Sequence, residues 1–131
     1  MKGIDTNVLA RYLVGDEPRQ TARAARFIER ECSQETPGYI NRIVLCELVC
    51  VLSGAYEYSR EQIADVLKLL MRTAELRVED HDAAWNAIKD YERGLCDFPD
   101  SYLALTNRRA GCESTVTFDR RAARHQYFKR L

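Results

Sequence analysis

The chain has 131 residues, of which 46% are hydrophobic, which suits one core, so we expect a single domain over residues 1–131. Its 20 basic and 20 acidic residues cancel, and the net charge therefore gives no sign of a polyanionic partner. No apolar run is long enough for a membrane span or a signal peptide. We therefore expect a cytoplasmic protein with no membrane contact.

Short strands lead directly into helices in the first half of the chain. A strand at Lys2–Ile4 is followed by Asp5, which can cap a helix. A second helix is predicted over about Arg19–Cys32. A strand near Gly38–Ile40 then precedes a long apolar helix that begins at Asn41. The first half thus contains two strand-to-helix units.

The second half continues this alternation. Apolar residues recur at i, i+3, i+4, i+7 and i+8 over Ile63–Met71, the pattern of an amphipathic helix, before a short strand at Leu76–Val78. Helices are predicted over about Asp82–Leu95 and Pro99–Ala110, and the β-branched run Thr115–Phe118 predicts a strand. The alternation predicts an α/β fold around a mainly parallel sheet.

Several carboxylates stand where such folds bind ligands. Asp5 and Asp119 each follow a predicted strand, and ligand sites lie beyond the carboxyl ends of parallel strands. Each could instead simply cap the following helix. Asp97 and Asp100 flank Pro99 at a helix start, where either could merely interact with the helix dipole. Taken singly, these acids permit both interpretations.

Glu47 is harder to explain as a surface acid. It is the only charged residue between Ile43 and Leu52, and its helical neighbours are apolar. We therefore expect a buried carboxylate, which needs a cation because an unpaired buried charge is costly. The cation could be a buried arginine or a metal ion.

Cysteine and histidine offer no alternative site. The five cysteines show no C-x-x-C spacing and are predicted to be buried, reduced thiols. The two histidines are not spaced as zinc ligands, and no imidazole base accompanies a Ser or Cys nucleophile. Grouped carboxylates instead favour Mg²⁺ or Mn²⁺, which would also offset their mutual repulsion.

The acids lie in motifs that resemble a known family. Met1–Pro18 resembles the N-terminus of PIN-domain nucleases, particularly VapC-like toxins of toxin–antitoxin pairs. Ile43–Leu48, Asp97–Ala104 and Thr115–Asp119 resemble the second, third and fourth acidic motifs of that family. Their order and spacing match over nearly the whole chain. The resemblance implies a PIN-like three-layer sandwich, with a short-stranded, mainly parallel central sheet flanked by helices.

The resemblance also implies a site and an activity. The catalytic and metal-binding acids would be Asp5, Glu47, Asp100 and Asp119, with Asn7 and Thr117 in support and Asp97 as an accessory acid. Asp97 also aligns with the third acid, and Asp100 is preferred because it directly precedes the helical run Ser-Tyr-Leu-Ala. The implied activity is Mg²⁺- or Mn²⁺-dependent hydrolysis of RNA, by a homodimer that a VapB-like antitoxin binds.

The arginines near the C-terminus are candidates to contact that RNA. Residues 107–131 contain seven basic and two acidic residues, which leaves 13 basic and 18 acidic residues in the rest. A basic edge can bind phosphates, although it can also be an ordinary solvated surface. The candidates are Arg108, Arg120, Arg121 and Arg124.

Two other functions remain open from the sequence. The domain could be an RNA- or protein-binding module with little or no nuclease activity. It could also be a phosphotransfer enzyme with Asp5 as nucleophile, but such enzymes need a second Asp two residues on, where this chain has Asn7. The apolar helices over Leu45–Leu52 and Ile63–Met71 could form a dimer face, an antitoxin groove or simply core.

Overall fold

The computed structural model describes residues 1–131, and its contacts divide the chain into two compact units, Met1–Glu79 and Asp80–Leu131. The first unit contains β1 (Lys2–Gly3), α1 (Thr6–Val14), α2 (Pro18–Arg26), β2 (Gly38–Ile40), α3 (Arg42–Gly54), α4 (Arg60–Arg72) and β3 (Leu76–Val78). The second contains α5 (His81–Glu92), α6 (Phe98–Arg109), β4 (Thr115–Thr117) and β5 (Phe128–Arg130). None of the helices is both long and apolar enough to cross a membrane.

The first unit has a three-stranded parallel sheet in the order β1-β2-β3. Gly38 of β2 pairs with Lys2 on one side and with Leu76 on the other. Parallel neighbours require crossover connections, and the helices between the strands provide them. The predicted α/β class with parallel strands is therefore confirmed in this unit.

Side-chain caps fix where the helices of this unit begin. Asp5 is the N-cap of α1, and the Asn41 side chain accepts a hydrogen bond of 3.0 Å from the Val44 N–H at the start of α3. Ser59 and Gln62 form a reciprocal capping box at the start of α4. The predicted caps at Asp5 and Asn41 are thus confirmed.

The apolar stripes of α3 and α4 form a large part of the core of the first unit. Their buried side chains are Leu45, Leu48, Val49, Leu52, Ile63, Ala64, Leu67, Leu70 and Met71. Two large apolar residues face outward instead, because Ile43 is 63% exposed and Leu69 is 60% exposed. Core packing therefore accounts for the stripes that could have been a dimer face or a groove.

The second unit packs α5 against α6 around aromatic rings. The Phe98 ring lies 6.2 Å from that of Tyr91 and 5.5 Å from that of Tyr102, measured between centroids. Because α6 begins at Phe98 rather than at Pro99, Asp100 is the third helical residue instead of the second.

The second unit also contains a strand that the sequence does not predict. β4 pairs in parallel with β5, Thr115 with Phe128 and Thr117 with Arg130. The three residues of β5 have no period-2 apolar pattern, and two of them are exposed. Periodicity therefore carries no signal for β5.

All five cysteines are free. Cys32 and Cys96 are buried as expected, and Cys46 is partly buried. The expectation of burial is wrong for Cys50, on the outer face of α3, and for Cys112, in the turn after α6, because both are exposed.

Close packing around β2 predicts that alanine at Gly38 in β2 and alanine at Gly3 in the paired strand β1 have opposite effects on stability. A methyl group at Gly38 would overlap Ile4 Cδ1 and lie 3.3 Å from the Cys32 sulfur, whereas at Gly3 nothing lies within 4 Å. We expect Gly38→Ala to lower the free energy of unfolding by about 1–3 kcal/mol through overpacking. Gly3→Ala should leave it equal or raise it by up to about 1 kcal/mol. Urea unfolding measures both, and an equal effect at the two sites would contradict the packing.

Candidate active site

Asp5 lies at the junction of β1 and α1. Its Oδ1 accepts a hydrogen bond of 2.8 Å from the Thr6 N–H, the capping contact expected of an N-cap aspartate. Its second oxygen, Oδ2, makes no hydrogen bond, and the residue is exposed. Capping thus uses one carboxylate oxygen and leaves the other available to a ligand.

Thr6 joins Asp5 to Glu47. The Thr6 side chain is 7% exposed, and its Oγ1 donates a hydrogen bond of 2.8 Å to Glu47 Oε2. One residue therefore contacts both carboxylates, through its main chain and its hydroxyl. Sequence reasoning missed Thr6, for which adjacency to Asp5 was the only signal.

The environment of Glu47 differs from the expectation. Glu47 is exposed, so the prediction of a buried carboxylate that requires a cation is wrong. The reason is that α3 turns part of its apolar sequence outward, since Ile43 and Cys50 are exposed as well. The hydrogen bond from Thr6, rather than burial, fixes the Glu47 carboxylate.

The second unit holds three acids that influence one another. Burial raises the pKa of Asp100, and the negative charges of Asp97 and Asp119 raise it further. Asp97 is the N-cap of α6 but its side chain makes no capping hydrogen bond. The charges of Asp97 and Asp119 therefore act on Asp100, and the partly buried Asp100 is the residue whose pKa is raised.

Hydrogen bonds of the turn after β4 hold Asp119. Its Oδ1 accepts from the N–H groups of Arg121 at 2.7 Å and Ala122 at 3.3 Å. The Thr117 hydroxyl accepts a hydrogen bond of 2.9 Å from the Asp119 N–H. Thr117 therefore orients the main chain at Asp119, and the Asp119 carboxylate accepts its hydrogen bonds just before the 3₁₀ turn Ala122–Arg124.

None of these carboxylates has a basic partner in its own unit. Asp5, Glu47, Asp97, Asp100 and Asp119 form no ion pair there. Within neither unit is a group of three or more His, Cys, Asp or Glu side chains arranged to hold a metal ion. The acids are therefore available oxygen donors rather than members of salt bridges.

Comparison with known proteins decides the family. The family model of the PIN domain matches residues 3–126. The chain belongs to the PIN domain family. The match confirms the α/β fold class that the motifs imply. A VapC ribonuclease of Aquifex aeolicus (strain VF5) is 28% identical over 121 residues, covering 92% of this chain and 89% of the relative. No solved structure gives a significant match.

This PIN domain also has a cleft in its first unit. The cleft has a volume of about 840 Å³ and is lined by residues of β1, α1 and α2 and of the turn after α2. Asp5 and Asn7 lie in its wall. Asn7 is exposed and lines the cleft, so its side chain is accessible from there.

The arginines expected to contact RNA all lie at the surface of the second unit. The Arg108 guanidinium lies 5.3 Å from the centroid of the Tyr127 ring, a cation–π contact. The other three are Arg120, Arg121 and Arg124. Their side chains form no ion pair within the unit, and their contact with RNA stays a prediction.

The raised pKa of Asp100 predicts a pH-dependent effect on stability. Its ionisation is disfavoured in the folded state, so the cost is absent when the carboxyl is protonated and appears as the pH rises through the folded pKa. Asp100→Asn should therefore stabilise the protein more, relative to wild type, at about pH 7 than at about pH 3. Urea unfolding in EDTA measures this. The exposed Asp65→Asn is the control, and a pH-independent difference for Asp100→Asn would contradict the coupling.

Proposed function

We propose that this PIN domain is a metal-dependent endoribonuclease that hydrolyses RNA phosphodiesters. Its catalytic acids and metal ligands would be Asp5, Glu47, Asp100 and Asp119, with Asp97 as an accessory acid. The observation that carries the proposal is the pair Asp5 and Glu47, joined through Thr6 and without a basic partner. Membership of the PIN family and similarity to a VapC ribonuclease support it.

The donor set fits Mg²⁺ or Mn²⁺ chemically. These hard ions bind carboxylate oxygens and keep several of their waters. Asp5 has a free Oδ2, and Glu47 uses Oε2 for Thr6, which leaves Oε1 without a hydrogen bond. A bound ion would supply activation of water and stabilisation of the charge that develops on the phosphoryl oxygens.

The residues of the chain prepare the acids for this role. Thr6 restricts the Glu47 carboxylate, and the Thr6 N–H restricts Asp5, so less side-chain freedom is lost on binding a ligand. The turn N–H groups hold Asp119 in the same way. Burial and two neighbouring carboxylates raise the pKa of Asp100, and a bound cation would favour its ionised form.

We further propose that the nuclease is the toxin of a toxin–antitoxin pair in the cytoplasm. Its partner would be a VapB-like antitoxin, and it would act as a homodimer. The 28% identity to a VapC ribonuclease supports the pairing. The outward-facing Ile43 and Leu69 are apolar surface that a protein partner could cover.

One observation favours a second function, a PIN-fold module that binds RNA or protein with little or no nuclease activity. Within neither unit is a group of three or more candidate ligands arranged to hold a metal ion. A module of this kind would bind RNA or its partner in EDTA as well as in Mg²⁺, and would not cleave RNA under either condition.

Substitution of Asp5 separates these functions. We expect Asp5→Asn to keep the fold and to abolish Mg²⁺- or Mn²⁺-dependent RNA cleavage, because the amide removes the charge that attracts the cation. Cleavage is followed by gel electrophoresis and Mn²⁺ affinity by calorimetry. The control is Asp65→Asn, an exposed acid on α4. Undiminished cleavage by purified Asp5→Asn would defeat the assignment.

Thr6 provides a second test that does not alter a carboxylate. Thr6→Val keeps the shape but removes the hydroxyl that binds Glu47. We expect Mn²⁺ affinity and activity to fall roughly 10- to 100-fold, as when other residues that orient ligands are lost. Thr6→Ser keeps the hydroxyl and should recover most of both. If serine and valine behave alike, the hydrogen bond does not position Glu47.

A further inference from the structure

Four arginines follow α2 and the π-helical turn after it, Phe27–Glu31. Arg19, Arg23, Arg26 and Arg30 are spaced by four, three and four residues. At 3.6 residues per turn, this spacing places the first three on one face of α2, and Arg30 follows them in the π-helical turn. All four are exposed, and none of their guanidinium groups forms an ion pair or hydrogen bond within the unit. We name this set the arginine stripe.

The stripe contrasts with other basic residues of the first unit. Arg11 pairs with Asp16, and Lys2 pairs with Glu31. Along the stripe, neighbouring like charges three or four residues apart destabilise the helix. A bound polyanion would reduce this repulsion, and no acid of the unit forms an ion pair with the stripe.

The stripe continues into the cleft that contains Asp5. Arg23 and Arg26 line the cleft together with Asp5 and Asn7. Of the remaining charged residues that line it, Lys2 and Arg11 are basic and only Glu31 is acidic. Apart from Asp5, the lining of the cleft therefore carries an excess of positive charge. This charge suits an anionic polymer that extends along the cleft as far as Asp5.

We propose that the arginine stripe binds the phosphodiester backbone of single-stranded RNA and guides it along the cleft to Asp5. This inference rests on the nuclease function proposed above. Guanidinium groups bind phosphate oxygens in a bidentate manner. The α-helical part of the stripe, from Arg19 to Arg26, extends over roughly 10 Å at 1.5 Å per residue, and Arg30 lies beyond it. The stripe is therefore long enough to contact several phosphates rather than one anionic group.

The cleft favours RNA over an acidic segment of a partner protein. A substrate backbone must pass from its outer nucleotides to Asp5, and the residues that line this route are Arg23 and Arg26. A nuclease substrate must reach Asp5, whereas an acidic segment of a partner protein gains nothing from a route that ends at a carboxylate. The surface is also separate in sequence from the C-terminal arginines discussed above.

Salt-dependent binding tests the proposal. The probe is a fluorescein-labelled single-stranded RNA of mixed sequence, measured by anisotropy in EDTA at several KCl concentrations. We expect Arg23→Gln/Arg26→Gln to reduce the slope of log K against log[salt] by about 1.4, since each phosphate contact contributes about 0.7 for single strands. Affinity near 0.1 M salt should fall roughly ten- to thirtyfold. In Mg²⁺, KM for RNA should rise with little change in kcat.

Matched variants separate the stripe from a general effect of charge. Arg77→Gln/Arg93→Gln removes the same charge from two exposed arginines outside the cleft and should change the affinity less than twofold. Arg23→Lys/Arg26→Lys keeps the charge and should keep most of the slope. Circular dichroism and a thermal melt establish that each variant is folded. A variant pair that does not fold is replaced by Arg19→Gln/Arg30→Gln, with a similar loss expected.

Two results would overturn the proposal. They are unchanged RNA affinity in the stripe variants and an equal loss in the Arg77/Arg93 control. Unchanged RNA affinity together with lost binding of a glutamate-rich peptide would assign the stripe to an acidic protein instead. Absence of cleavage by the wild type would instead refute the nuclease function, which the binding data do not address.

Discussion

The hydrogen bond from the Thr6 hydroxyl to Glu47 is the contact on which the first half of the proposed site depends. It links the first turn of α1 to the middle of α3. The same residue donates its main-chain N–H to Asp5, so two carboxylates far apart in sequence are held by one buried residue. Because Thr6 is nearly inaccessible to water, this arrangement is fixed before any ligand arrives, and free oxygens remain on both acids.

Charge is distributed so that the acids of the proposed site have no basic partner. Basic residues such as Arg11 and Arg42 pair with acids outside the proposed site. The proposed site acids have no such partners in their units, and Asp100 shows the cost because its pKa is raised by burial and by two neighbouring carboxylates. The arginine stripe is the converse, a row of cations without acids. Unpaired acids and unpaired arginines both destabilise the isolated protein. The acids suit a bound cation, and the arginine stripe suits a bound polyanion.

Much of the fold could be predicted from the sequence, because its signals are local. Caps at Asp5 and Asn41 and the amphipathic period over Ile63–Met71 depend on neighbouring residues, and the structure confirms them. β5 could not be predicted, because its three residues show no apolar alternation and the strand forms only by pairing with β4.

The site was predictable only in part. The motifs indicate the acids of the proposed site, but the exposure of Glu47 depends on which face of α3 packs inward. The role of Thr6 depends on a contact across 41 residues of sequence. The spacing of the arginine stripe can be seen in the sequence. A role for the stripe could be inferred only from the structure, which shows the cleft and the absence of acidic partners.

The most direct test of the central claim is an NMR titration of the isotopically labelled protein with Mn²⁺. A bound paramagnetic ion broadens the amide signals nearest to it, so the order of signal loss locates the ion without an activity assay. The expected result is that the first signals lost belong to Asp5, Thr6, Glu47, Asp100 and Asp119, and that Mg²⁺ in excess restores them. Persistence of these signals while those of other surface acids broaden would contradict it.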